Sequence, residues 1–256
     1  MEGFFASFSH LQGWIDLLTL VVMEIVLGID NIIFIAIVTG YIQKKDDQRK
    51  ARALGLSFAL LFRIALLFTL STLAHMQEGL FNIGPYPISG RGIVLLGGGL
   101  FLVIKTINEI RHKFKIADHE ESAKSRQMNL VQAIIQITII DIVFSFDSII
   151  TAVGLVDHVP IMVVAVVIAM FVMLAFAPYV SAFIEKYPTL KMLALVFLVV
   201  VGINLLAEAL ESAHVFHIPE TVDLKMYSYV AFAFAIVVEL LNIRLHHVKT
   251  RGEKRG

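Results

Sequence analysis

One ten-residue phrase stands twice in this chain, and each copy sets two carboxylates inside a stretch otherwise apolar enough to cross a membrane. The first copy is Glu24-Ile25-Val26-Leu27-Gly28-Ile29-Asp30-Asn31-Ile32-Ile33, and the second is Asp141-Ile142-Val143-Phe144-Ser145-Phe146-Asp147-Ser148-Ile149-Ile150. Five of the ten positions are identical, and a sixth exchanges one carboxylate for the other. An acid at the centre of a bilayer costs roughly 2.5–3.5 kcal/mol on insertion scales. Four such acids call for a function, and their repetition points to one site built from two halves.

The rest of the chain supports the membrane reading. Charged residues make up 16% of it and hydrophobic residues 58%, whereas a soluble domain carries about 25% charged residues. A span needs about 20 apolar residues, and seven stretches qualify: roughly 14–42, 53–74, 91–110, 129–155, 159–184, 190–210 and 226–245. The expected fold is therefore all-α, a polytopic membrane protein of seven transmembrane helices in one domain. Cysteine is absent, which excludes disulfides and thiolate metal sites. Glu2 is the only strong charge before Asp16, so a cleaved signal peptide, which needs a basic start, is not expected.

Charge sets the expected orientation. The loops after spans 1, 3 and 5 and the C-terminal end hold 17 of the 21 Lys and Arg residues, and the alternate loops hold only Arg91 and Lys225. By the positive-inside rule the N-terminus lies outside and the C-terminus in the cytoplasm. A second repeated phrase, Phe101–Asn108 against Phe197–Asn204, matches at five of eight positions and follows in the same order. Spans 1–3 thus correspond to spans 4–6, and span 7 is extra. Three spans are an odd number, so the second copy enters the membrane inverted, as in many secondary transporters with a midplane site between the repeats.

Six residues of regular helix turn the two acids of one copy about 120° apart and about 9 Å along the axis. An unbroken helix cannot aim both at one small ion. Unwinding at Gly28 and Ser145 would bring them together; otherwise each span gives one acid to a shared centre. The candidate ligands are Glu24, Asp30, Asn31, Asp141, Asp147 and Ser148. All offer oxygen, which suits hard divalent cations such as Mn²⁺, Mg²⁺ and Ca²⁺. Arg63 and Lys105 could instead neutralise two of the acids, and Glu239 stands in span 7 as a further supporting charge. Plainer roles suffice elsewhere: helix packing for Gly97-Gly98-Gly99, a kink for Pro178, an interfacial position for Glu208, a basic tail for His246 and His247, and a linker for Ala117–Met128.

The two acidic phrases, with the Ile149–His158 stretch that follows, resemble the signature segments of the TerC family of integral membrane proteins. The resemblance covers about residues 12–245 and is to the short form, without appended cytoplasmic domains. It implies a seven-span protein, in keeping with one membrane domain over 1–256 whose repeat 1 lies at about 12–111, repeat 2 at about 128–212 and extra span at about 226–245. It also implies kinship with LysE-type transporters, manganese efflux or delivery of manganese to exported proteins, and an association with tellurite resistance. Carried over by motif, the metal ligands are the same six residues.

Three functions compete on these grounds. The first is a divalent-cation exporter in the cell membrane. The second is an assembly or metalation factor that hands metal to exported proteins. The third, an intramembrane aspartyl protease, is suggested by paired aspartates, but only Gly28-Ile29-Asp30 of a Gly-x-Gly-Asp pattern occurs, and Glu24 and Asp141 have no role in it. No enzymatic activity and no tightly bound cofactor are therefore expected. The expected partners are membrane lipid, the transported ion, and either a second copy of the chain or secretion machinery, with no nucleic acid.

Overall fold

The structure, a computed structural model, describes residues 10–69, 79–83, 85–118, 128–156, 158–216, 219 and 224–253. Span 1 is two helices, α1 (Leu11–Leu27) and α2 (Ile29–Thr39), and span 2 is α3 (Lys45–Phe68). A hairpin of β1 (Gly79–Ile83) and β2 (Tyr86–Ser89) leads into α4 (Gly90–Asp118), followed by α5 (Leu130–Leu155), α6 (Val159–Lys186), α7 (Pro188–Ser212) and α8 (Leu224–Glu253). Among the described residues six segments are long and apolar enough to cross a membrane, and the 26-residue α5, apolar over Leu130–Phe146, accounts for the remaining span.

Three helices depart from the hydropathy reading at their boundaries. Span 2 was expected at 53–74, but α3 begins at Lys45 and ends at Phe68, and residues 70–74 lie outside the described residues. Asp46 and Asp47 in its first turn favour the positive helix N-terminus, and Lys, Arg and Gln are good helix formers that hydropathy cannot see. For the same reason α4 and α8 run on through basic residues past 110 and 245. The hairpin is a small exception to an all-helical chain. Its register pairs Asn82 with Pro87 and Ile83 with Tyr86, with Pro85 in the turn. Two prolines two residues apart disfavour a regular helix there.

The helix pairings are those a doubled three-helix unit requires. The packing of α3 on α5 is the counterpart of α6 on α1 and α2, and α4 on α5 is the counterpart of α2 on α7. The pairs α4–α7, α3–α6 and α2–α5 map onto themselves under the same exchange. Spans 1 and 4 are thus in contact. Every residue of α2 from Asp30 to Thr39 is buried, as expected of a helix surrounded on all sides. At the periphery, α8 packs on α7, and no residue of Leu224–Leu245 is buried.

Small residues set the close approaches. The glycine run in α4 divides its work: a side chain on Gly98 would strike Val143 of α5, one on Gly99 would meet the Gly202 carbonyl of α7, and one on Gly97 would meet nothing. Gly98→Leu is therefore expected to cost the 1–3 kcal/mol or more typical of overpacking. Gly97→Leu should melt in detergent like the native protein. Equal melting of the two variants would contradict this packing. Pro178 lies within α6, which continues through it.

Candidate ion site

Each acidic copy divides its work between two places. Arg63 of α3, fully buried, lies between the first acids of the two copies. Its Nη1 donates to Glu24 Oε2 at 2.6 Å, while Nε and Nη2 donate to Asp141 Oδ2 and Oδ1, each at 3.0 Å. Asn31 Nδ2 adds a bond to Asp141 Oδ1 at 2.8 Å, and Ser145 Oγ lies 3.0 Å from Oδ2. A forked guanidinium–carboxylate pair is a strong and directional arrangement. Here it ties α1, α2, α3 and α5 together at one depth. Glu24 Oε1 has no hydrogen-bond partner, and the residue borders a small apolar cavity with Leu20, Leu67, Ile149 and Met162.

The second acid of the first copy goes elsewhere. Asp30 is 5% exposed and lies in the first turn of α2. Tyr229 of α8 donates its hydroxyl to Asp30 Oδ2 at 3.1 Å, and Oδ1 has no partner. Asp30 borders a cavity of about 30 Å³ together with Ser148, Asn204, Ser228 and Tyr229. That is room for a water or a bare ion. Asn204 Nδ2 donates to Ser228 Oγ at 2.9 Å, which leaves the amide oxygen of Asn204 available as an acceptor. Lys225 also borders the cavity; its Nζ is 3.1 Å from Glu208 Oε1, and Arg91 Nη2 is 3.6 Å from Oε2 of the same carboxylate. The two lysine and arginine residues of the alternate loops thus meet at Glu208, near the end of span 6.

Helix geometry explains the division. At Gly28 the helix is interrupted for one residue only, with Gly28 N–H still on the Glu24 carbonyl at 2.9 Å and the Gly28 carbonyl accepting from Ile32 at 3.1 Å. Its φ of −84° is open to any residue. The glycine matters for space, since an added Cβ would lie 2.5 Å from the Met173 sulfur of α6. At Ser145 α5 is unbroken, and the Ser145 hydroxyl bonds the Asp141 carbonyl. With so little unwinding the six-residue offset stands, and Glu24 and Asp30 point to different places.

Of the residues named from sequence, the structure therefore brings Glu24, Asp141, Asn31 and Arg63 together in one network and Asp30 and Ser148 around one cavity. Asp147 lies on α5 beside Ser148, and its side chain falls outside the described residues, as do those of His246 and His247. Lys105 borders a different cavity, with Thr106 and Glu109. Glu239 is ten residues past Tyr229 on α8, about 15 Å along the axis, and does not line the Asp30 cavity. No three His, Asp or Glu side chains cluster as a metal site among the described residues. Sequence reasoning missed Tyr229 and Ser228, which sit on the unrepeated span. Asn204 carried a signal, since it is the repeat mate of Asn108.

Comparison with known proteins agrees with this architecture. The sequence matches the family described as "Integral membrane protein TerC family" over residues 9–254. A "UPF0053 protein" of Haemophilus influenzae is 45% identical over 237 residues, which is 93% of this chain and 96% of that one. The "UPF0053 inner membrane protein YgdQ" of Escherichia coli is 43% identical over 239 residues, with 93% and 96% covered. The "UPF0053 inner membrane protein YoaE" of Escherichia coli is 42% identical over 229 residues, 90% of this chain but 42% of that longer protein. No solved structure matches the chain. A paired acidic phrase on two touching spans, a helical membrane architecture and a family match along nearly the whole length agree: this chain belongs to the TerC family of integral membrane proteins.

Proposed function

We propose that this protein carries a hard divalent cation across the cell's inner membrane, with Asp30 as the charged ligand at the midplane. The observation that carries the reading is the partnerless Asp30 Oδ1, buried beside a small cavity lined by further oxygen donors. A buried carboxylate oxygen without a donor is a costly arrangement, and a cation is the natural counterpart. Asp30, Ser148, Asn204, Ser228 and Tyr229 bring oxygen ligands of the kind that Mn²⁺, Mg²⁺ and Ca²⁺ prefer to a cavity otherwise lined by apolar side chains and Lys225. Asp147, the repeat mate of Asp30, is the second carboxylate of this reading.

Mn²⁺ and the outward direction come from the family resemblance. The inner-membrane location follows the names of the Escherichia coli relatives. The N-out, C-in orientation follows the loop charges. Proton exchange fits the same site, because a carboxylate that releases its metal away from water can take up a proton instead of staying charged. In this reading Glu24 and Asp141 serve Arg63 and hold the spans in place.

Proteoliposomes containing a Mn²⁺-quenched dye, with an imposed pH gradient, test the proposal. The expected result is protein-dependent quenching that the gradient accelerates. Flux indifferent to the gradient removes proton coupling and leaves transport standing. If folded protein moves no divalent ion at all, the metalation-factor reading replaces this one.

A further inference from the structure

The Asp30 cavity does not stand alone on α2. Phe34, Ile37 and Tyr41 border a second cavity of about 20 Å³, closed on the other side by Leu195 and Leu198 of α7. On α2, Asp30, Phe34 and Ile37 follow at steps of four and three, so they lie on one helical face, and Tyr41 lies in the turn just past the helix end. On α7, Leu198 borders the second cavity, while Val201 and Leu205, three and seven residues on, border the first. The two helices pack against each other. The cavities are therefore consecutive chambers on one seam, with about one turn, or about 6 Å, from Asp30 to Phe34.

What lies between the chambers is apolar. Phe34 is 3% exposed, Leu198 is 1% and Val201 is 7%. A constriction of this kind closes a path by excluding water. The second chamber brings polar groups back on its α4 side, where Thr106 and Glu109 are both buried and Lys105 lies beside them, against otherwise mostly apolar walls. Glu109 belongs to neither acidic phrase, and the Asp30 site makes no use of it. The chambers also end differently. Leu27, Lys225 and Tyr229 of the first chamber also line an open groove of about 840 Å³ between α1 and α8. The second ends at Tyr41, whose ring lies under Lys191 Nζ at 4.9 Å from its centroid.

We propose that the seam between α2 and α7 is the translocation path, that Phe34 is the gate dividing it, and that Glu109 is the carboxylate stop on the far side of that gate from Asp30. The proposal rests on the reading of Asp30 as the ion site and extends it to a route. Loss of the Phe34 ring joins the chambers, and an ion leaving Asp30 then meets the next oxygen ligand at Glu109.

The absence of cysteine in the chain lets a single introduced thiol report one chamber without background. Asn204→Cys marks the first and Thr106→Cys the second. A small membrane-impermeant methanethiosulfonate is applied to right-side-out and to inverted membrane vesicles. The expected result is opposite sidedness: each thiol reacts from one face only, and the two faces differ. In a Phe34→Ala background Thr106→Cys should also react from the face that reaches Asn204→Cys, about tenfold faster or more than with the ring in place, because widening a dry constriction admits water. Should Thr106→Cys not reach the membrane, Ile37→Cys reports the same chamber. Labelling of both thiols from the same face with Phe34 intact, labelling of neither, or sidedness that Phe34→Ala leaves unchanged would overturn the path. These readouts need no ion. Correct sidedness without Mn²⁺ flux would reject the ion reading alone, and flux without it would reject the path alone.

Discussion

Asp30→Asn is expected to abolish divalent-cation flux while leaving the protein folded and in the membrane. The substitution removes the carboxylate that, among the described residues, borders the first cavity, and it keeps the side-chain volume. Tyr229 still finds an amide oxygen to donate to, and Lys225 keeps its ion pair with Glu208. No buried cation is left without its counter-charge, so the melting temperature in detergent should stay within a few degrees of the native value. The loss of flux should exceed about a hundredfold, since losing a mere outer-shell partner of a metal commonly costs 10–100-fold. Flux in proteoliposomes and melting of the same preparation separate the two effects. Native flux from Asp30→Asn would show that this cavity is not where the ion stops.

The opposite pattern is expected at Arg63. Arg63→Met leaves Glu24 and Asp141 buried with no positive partner. Removing one side of a buried ion pair typically costs about 3–5 kcal/mol, a large part of the about 5–15 kcal/mol that holds an ordinary domain together. The variant should therefore be scarce in the membrane and melt early. The triple variant Arg63→Met/Glu24→Gln/Asp141→Asn removes all the charges of the network at once, and its level should recover in large part, because replacing a whole buried ion network is often tolerated. Its Mn²⁺ flux then decides a further question. Retained flux assigns Glu24 and Asp141 to architecture, whereas a stable triple variant without flux returns them to the ion's own shell. A stable single Arg63→Met variant would contradict the network's structural weight.

The structure also shows why the two acids of one phrase part company. The sequence offered two ways to place them: unwinding at Gly28 and Ser145, or one acid from each span at a common centre. The first does not describe the result, and the second describes half of it: Glu24 and Asp141, one acid from each span, meet on the Arg63 guanidinium, while Asp30 goes elsewhere. The helix is interrupted at Gly28 by one residue and at Ser145 not at all, so the phrase behaves almost as plain helix and its six-residue offset decides the outcome. The first acids of both copies meet at Arg63, and Asp30 turns to α7 and α8. That Arg63 lies deep in its span was readable from its position alone. Its hold on Glu24 and Asp141 together was not, because it depends on α3 packing against α5 while α1 and α2 pack against α6.

Boundaries teach a similar lesson. The apolar runs located every span, yet the start of α3 and the ends of α4 and α8 lie in charged sequence that hydropathy discards and helix propensity favours. The hairpin before α4 was missed because five- and four-residue strands are too short to register against the neighbouring spans.

By itself the sequence determined what local physics can determine. Long apolar runs require helices that cross a bilayer, a doubled phrase requires a doubled unit, and acids within those runs must each find a partner. Only the tertiary structure decided which partner each acid takes. Partner choice depends on which helix faces meet and at what height, and those are set by non-local close approaches such as Gly28 on Met173, Gly55 on Ile137 and Gly98 on Val143. Tyr229 is the clearest case: an ordinary residue near the start of an unrepeated span, it becomes part of the candidate site because α8 packs on α7 with that residue turned toward Asp30.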